Sequence, residues 1–166
     1  MSKAFTREDD LPDSTGTRPL TSPLPPGARN YITRGGELKL RAELNRLVEG
    51  RSAAAAQANS DQQLRSLDQR VLYLQQSLQS AVIVDPPAES DGRVRFGTTV
   101  TVRERGSGEE SRYRIVGVDE TDIDRGWVSW LSPIAKALLN ARVGDCVRFK
   151  FPGRDEELEI LAVTYE

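Results

Sequence analysis

The stretch Trp127-Val128-Ser129-Trp130-Leu131-Ser132-Pro133-Ile134-Ala135-Lys136-Ala137-Leu138-Leu139 decides how this chain folds. Its first four residues are aromatic, β-branched or hydroxylated and fit a short strand. Ser132 is placed to cap a helix, because its hydroxyl can accept one of the backbone N–H groups that a first helical turn leaves unpaired. Pro133 at the first helical position has no N–H to lose and a preset φ. Ala135 to Leu139 then carry the helix. Strict alternation puts Trp127 and Trp130 on opposite faces of the strand, so at least one of them is expected to be exposed.

Further strand candidates lie on both sides of this stretch: Arg93–Phe96, Thr98–Arg103, Arg112–Val118, Gly126–Trp130, Val143–Phe151 and Glu157–Thr164. Val100 and Val102 alternate with threonines, as a half-buried strand requires. Arg103–Ser111, with Gly106 and Gly108, forms a hairpin loop, and Val143-Gly144-Asp145 turns into the next strand. Residues 93–166 therefore make a five- or six-stranded antiparallel sheet covering one helix. The run Asp119-Glu120-Thr121-Asp122-Ile123-Asp124 lacks the glycine and terminal glutamate of a calcium loop and reads as solvated. Cys146 lies in a strand and reads as a buried structural thiol.

Upstream, the pattern changes from a period of two to steps of three and four. Leu64, Leu67, Val71, Leu74, Leu78 and Ala81 form a heptad seam, and Leu40, Leu44, Leu47, Arg51, Ala54 and Ala58 form a second in the same register. Two such helices separated by a short break pair as an antiparallel hairpin over residues 31–84. The turn falls at Ala58-Asn59-Ser60-Asp61, where Ser60 and Gln63 fit a capping box. Each buried Leu or Val of the seam contributes roughly 1.5–3 kcal/mol. Toward the turn, Gly50 costs roughly 1 kcal/mol relative to Ala, and the four alanines Ala53 to Ala56 bury little. The hairpin is thus expected to be firm at its base and to fray at its tip. Asp85-Pro86-Pro87 ends the second helix, and residues 85–92 are a linker.

Residues 1–30 hold Pro12, Pro19, Pro23, Pro25 and Pro26 among Gly, Ser and Thr, the composition of a disordered tail. The whole chain has 166 residues, a net charge of −2, one cysteine and no histidine. An internal disulfide, a zinc site and a histidine-based catalytic triad are excluded by that count. Neither a membrane-length apolar run nor a signal-peptide core is present, so a cytoplasmic protein without membrane contact is expected.

Several segments follow one another in a known order. Tyr31-Ile32-Thr33-Arg34-Gly35 leads through Leu40-Arg41-Ala42-Glu43-Leu44. Leu64-Arg65 runs through Asp68-Gln69-Arg70-Val71 and Tyr73-Leu74 to Val82-Ile83-Val84. Then come Phe96-Gly97, Tyr113 to Glu120, Ser132 to Leu139 and Gly144-Asp145. In this collinearity, over roughly residues 29–166, the chain resembles the bacterial Gre-factor family. The resemblance implies an α+β fold: an N-terminal antiparallel coiled-coil hairpin, then a small antiparallel β-sheet domain with one helix, FKBP-like as in Gre factors. It also implies a partner, bacterial RNA polymerase, gripped by the β-domain at a coiled coil on the rim of the secondary channel. By that resemblance the polymerase-binding candidates are Trp130, Leu131, Ser132, Pro133, Ile134 and Ala135. The family usually has Asp or Asn before Ser-Pro, where this chain has Leu131, and a smaller aliphatic in place of Trp130.

Members of the family stimulate RNA cleavage by backtracked polymerase. Two acidic residues at the arm's tip, in a motif of the form G-D-x-S-E-N-A-D-Y, help hold a magnesium ion and its attacking water. Magnesium needs such hard oxygen ligands. Between Val48 and Leu64 this chain has neither the motif nor the length: it runs Glu49-Gly50-Arg51-Ser52, four alanines, then Gln57-Ala58-Asn59-Ser60-Asp61-Gln62-Gln63. Losing roughly eight residues per helix shortens the arm by roughly 12 Å. Asp61, the one carboxylate at the turn, is explained by the positive end of the following helix dipole.

The expectation is therefore a monomeric, non-enzymatic regulator with no catalytic residue, metal or cofactor, which meets DNA or RNA only through the polymerase. The short-armed relatives called Rnk share this shape. Two rivals stand beside it: a cleavage factor working with a reduced tip through Asp61 and Glu49, and an interaction module for a partner other than polymerase.

Overall fold

The computed structural model describes residues 24–56, 61–87, 89–151 and 153–165. Strand β1 (Asn30–Thr33) leads into helix α1 (Arg34–Ala56). Helix α2 (Asp61–Ser80) returns and ends in strand β2 (Ala81–Val84). Strands β3 (Thr98–Glu104) and β4 (Glu110–Val116) are followed by a 3-10 turn at Val118–Glu120. Then come β5 (Trp127–Ser129), helix α3 (Pro133–Leu138), β6 (Cys146–Phe151) and β7 (Arg154–Tyr165). The fold is mixed α+β.

The helices run in opposite directions, since Glu43 pairs with Arg70 at 2.8 Å while Arg51, further along α1, pairs with Asp68, earlier on α2. Leu40, Tyr73 and Leu74 are buried between them, with Leu44, Leu47, Leu78 and Ala81 packed around. Beyond Leu47 the apolar filling thins, and residues 48–53 are all exposed. There Arg51 does not snorkel. Its guanidinium takes the Asp68 carboxylate with two N–H groups, which holds that carboxyl below its usual range. At 1.5 Å per residue, the 23 residues of α1 reach about 35 Å.

The base of the hairpin departs from the sequence expectation. Residues 31–33 and 82–84, expected as helix ends, are strands paired in parallel from Asn30↔Ala81 to Thr33↔Val84. Tyr31-Ile32-Thr33 and Val82-Ile83-Val84 are β-branched and aromatic runs that prefer extended backbone. Buried Asn30 fastens them, its amide donating to the Ser77 carbonyl at 3.0 Å and to the Ser80 hydroxyl at 3.2 Å.

The five-stranded sheet has the order β5-β4-β3-β7-β6. It is mixed and not antiparallel, because β5 joins β4 in parallel, Arg114↔Trp127 to Val116↔Ser129. The cause is the length of the connection 117–126, which crosses back to the start of β4 and does not turn as a hairpin. Gly126 completes the crossing at φ 70, so close to β4 that a Cβ would lie 2.4 Å from the Arg112 carbonyl oxygen. Arg93–Phe96, expected as a strand, makes only the single bridge Arg93↔Arg142. Helix α3 packs Ile134, Ala135 and Leu138 onto Val100, Val102, Ile115 and Ile160 to form the domain core.

The connection after β4 also ties the two halves of the chain together. Asp119 accepts hydrogen bonds from the Tyr73 and Ser77 hydroxyls of α2. Glu120 accepts from the Thr33 N–H at 2.9 Å, from the Thr33 hydroxyl and from the Gly117 N–H at 3.0 Å. Burial, then Asp119, push the Tyr73 phenol well above its ordinary value, so it remains a donor at neutral pH. Gly36 leaves room for this clamp, since a Cβ there would lie 2.1 Å from the Glu120 carboxylate. The expectation of a solvated loop is thus corrected at Asp119 and Glu120, which are fastened to the hairpin base. Cys146 is likewise exposed and not buried, on the edge strand β6. Glu120→Ala is expected to cost about 1–3 kcal/mol in urea unfolding, because it strands two backbone N–H groups. Gly36→Ala should cost a similar amount, and the double variant less than the sum, because both break one clamp.

Candidate functional site

The candidate loop joins β5 to α3, and the backbone N–H groups of Trp130, Leu131 and Ser132 are all hydrogen-bonded. Trp130 N–H donates to the Val116 carbonyl at 2.9 Å, Leu131 N–H to the Ser129 hydroxyl at 3.2 Å, and Ser132 N–H to the Ser129 carbonyl at 2.9 Å. Ser132 has extended φ/ψ, and its hydroxyl accepts from Ala135 N–H at 3.2 Å, the N-cap expected from sequence. Pro133 follows at the helix start. The loop is therefore a rigid corner presented by an edge strand.

The six sequence candidates divide by direction. Pro133 is exposed, and Leu131 and Ser132 are half-buried, so these three form the accessible surface. Ile134 and Ala135 are buried in the core and support the corner from behind. Trp130 faces the hairpin base: its ring meets Tyr31 edge-on at 5.1 Å, and Tyr31 meets Phe96 at 5.9 Å. Trp130 is thus a joint between the loop and β1, half-buried in place.

Trp127 is half-buried as well, so neither tryptophan is fully exposed. Its ring is surrounded by cations, with Lys39 Nζ at 4.5 Å, Arg114 Cζ at 4.8 Å and Arg125 Cζ at 5.5 Å from the centroid. Sequence reasoning missed this group, because Lys39 comes from α1 and only the parallel β4–β5 pairing brings Arg114 beside Trp127. It missed the Asp119–Glu120 clamp for a similar reason, although Glu at the third position after Gly117 is a capping spacing.

At the far end of the hairpin, Asp61 opens α2 as an exposed first-turn acid. The other tip candidates, Ala58, Asn59 and Ser60, lie outside the described residues. Among the described residues no helix is long and apolar enough to cross a membrane.

Comparison with known proteins places this architecture. Residues 89–165 match the family model described as transcription elongation factor, GreA/GreB, C-term. The chain is 37% identical to transcription elongation factor GreB of Neisseria meningitidis serogroup A over 155 residues, covering 82% of this chain and 94% of that protein. It is 36% identical to transcription elongation factor GreA of Alkalilimnicola ehrlichii over 152 residues, covering 81% and 96%. A solved prokaryotic transcription elongation factor GreA/GreB from Nitrosomonas europaea is 24% identical, with 83% and 99% covered and a TM-score of 0.43. The chain belongs to the GreA/GreB family of transcription elongation factors.

The coverage contains a further fact. The Neisseria alignment spans 155 positions yet takes in 82% of the 166 residues here, about 136, so about 19 aligned positions have no counterpart in this chain. The Alkalilimnicola GreA alignment leaves a similar shortfall.

Ser132→Ala is expected to lower stability by about 1 kcal/mol through loss of the cap, measured by urea unfolding. Ser132→Asp keeps an acceptor at that position and should leave stability within error of the parent.

Proposed function

We propose that this Gre-family chain binds RNA polymerase at the rim of the secondary channel and regulates transcription without stimulating transcript cleavage. It docks through the β-domain corner formed by Leu131, Ser132 and Pro133, with Trp130, Ile134 and Ala135 holding that corner in place. The helical hairpin of α1 and α2, on its two-stranded base, then stands at the channel mouth. There it competes with other channel factors or obstructs substrate entry. Residues 93–166 are the docking unit, and residues 85–92 are the linker to it.

The observation that carries this reading is the arm. Cleavage stimulation requires carboxylates at the tip to hold magnesium, and the sequence from Glu49 to Gln63 supplies Glu49 and Asp61 as its only acids. Asp61 begins a helix, a position that favours an acid for electrostatic reasons alone. The shortfall of about 19 aligned positions agrees in size with the roughly sixteen residues that the hairpin lacks by sequence pattern. The proposed docking corner, by contrast, keeps Ser132-Pro133 with the helix cap formed, and departs from the family pattern at Trp130 and Leu131. A hydrophobic Leu131 at its edge gives the contact an apolar component in place of a charged one.

The test is RNA cleavage by a backtracked polymerase complex with a competent Gre factor, titrated with this protein. Dose-dependent suppression is expected. Pro133→Glu, at an exposed position that leaves the core untouched, is expected to abolish the suppression while the protein remains folded by circular dichroism. Unchanged cleavage at high excess would contradict docking at the channel.

A further inference from the structure

We propose that the docking corner continues along α3 as a basic contact, in which Lys136, Arg93 and Arg142 receive acidic side chains of the polymerase helix that the corner meets. This inference rests on the proposed docking to polymerase and adds the chemistry of the partner's surface.

The positions follow from the chain. Lys136 lies three residues after Pro133, so the two share one face of α3, and both are exposed. After α3 the backbone turns at Asn140, at φ 71, and joins the segment that precedes β3. Asn140 N–H donates to the Val94 carbonyl at 2.9 Å, and Val94 N–H to the Ala141 carbonyl at 2.8 Å. On the other side, Val143 N–H donates to the Gly92 carbonyl at 3.2 Å. Arg93 and Arg142 are therefore directly opposite each other at a non-hydrogen-bonded position. At such positions Cα atoms stand about 4.5 Å apart and the two side chains share a face. Val94 beside Arg93 is buried, and Ala141 beside Arg142 packs on the same core, so alternation turns both arginines outward.

Like charges directly opposite each other destabilise a strand pair. No ion pair offsets that cost here: among the described residues no carboxylate bonds the side chain of Arg93, Arg142 or Lys136. The aspartates of this segment serve other groups. Asp145 accepts from Arg142 N–H at 2.7 Å, and Asp91 from Arg93 N–H at 3.1 Å and from the Arg95 guanidinium at 2.6 Å. Arg93 is half-buried with its Nε enclosed, while its outer nitrogens are not, so the guanidinium is held in place and open at one end. Such a fork takes a carboxylate with paired N–H donors, and a fixed one loses less freedom on binding.

The chain as a whole carries a net charge of −2, so this cationic face runs against its composition and selects an acidic partner. Nucleic acid is the less favoured occupant, because three cations supply few of the phosphate contacts on which such binding depends. The six residues of α3 span about 9 Å. On a partner helix the acids therefore lie about two turns from the apolar contact made by Leu131 and Pro133.

The experiment measures binding of the full chain to core polymerase at several salt concentrations. The parent is expected to bind, with an affinity that falls as salt rises. Arg142→Glu should weaken binding about tenfold or more at low salt and flatten the salt dependence, and Lys136→Glu should weaken it severalfold. The unfolding midpoint of Arg142→Glu should be unchanged or raised, because a like-charged pair has become an attractive one. That combination separates a lost contact from a folding defect. Lys150→Glu makes the same change of net charge at an exposed position on β6 and should leave affinity within about twofold. No binding by the parent removes the docking to polymerase and this inference with it. Binding that Pro133→Glu abolishes while Arg142→Glu and Lys136→Glu leave it intact overturns this inference alone. Equal weakening by Lys150→Glu overturns it too, as an effect of net charge. A single-stranded oligonucleotide that binds the free chain as tightly as polymerase does, and is lost in Arg142→Glu, contradicts an acidic protein partner.

Discussion

The clamp formed by Asp119 and Glu120 is the contact on which the rest of the molecule depends. Each carboxylate comes from the β-domain and is received by the base of the hairpin: Asp119 by Tyr73 and Ser77, Glu120 by Thr33. Thr33 also caps α1 through its hydroxyl, which accepts from Gly36 N–H at 3.0 Å. One residue therefore ends a strand, starts a helix and takes the carboxylate of the other domain. The edge contact of Tyr31 with Trp130 adds a second point of attachment. Two fixed points define the direction in which the hairpin leaves the β-domain, so the arm and the Ser132-Pro133 corner are held in one arrangement.

Along the hairpin, the forces change in kind. Near the clamp the seam is apolar and buried around Leu40 and Leu74. Further out it consists of the half-buried Leu64, Leu67 and Ala54 and the exposed Arg51–Asp68 pair. Exposed ion pairs contribute little to stability and are screened by salt, so the distal half holds its shape mainly through helix propensity and thin packing. A long arm built in this way would be weak. A short one needs only its base.

Sequence revealed the features that depend on neighbours along the chain. The heptad spacing of Leu64 to Leu78 marked α2, and Ser132-Pro133 marked the start of α3, because caps and seams are written within a few residues. Features that depend on distant partners stayed hidden. Val82-Ile83-Val84 continued the helical pattern and became a strand because β1 was there to pair with it. The parallel attachment of β5 depends on the crossing 117–126 and on Gly126, and no local pattern in Trp127–Ser129 states its direction. Cys146 looked buried from its strand context, and the edge position of β6 exposes it. The same limit divided the site. The Ser-Pro corner was visible as a motif, while the inward turn of Ile134 and Ala135 required the core that they enter.

Family membership, a rigid corner, a clamped base and a distal sequence with Glu49 and Asp61 as its only acids are the features on which the proposed regulator without cleavage activity rests. The most direct test adds this protein alone to a backtracked polymerase complex and follows binding and RNA length in one titration. The account predicts saturable binding with RNA of unchanged length at saturation. RNA shortening that grows with occupancy and disappears in Asp61→Ala would contradict it.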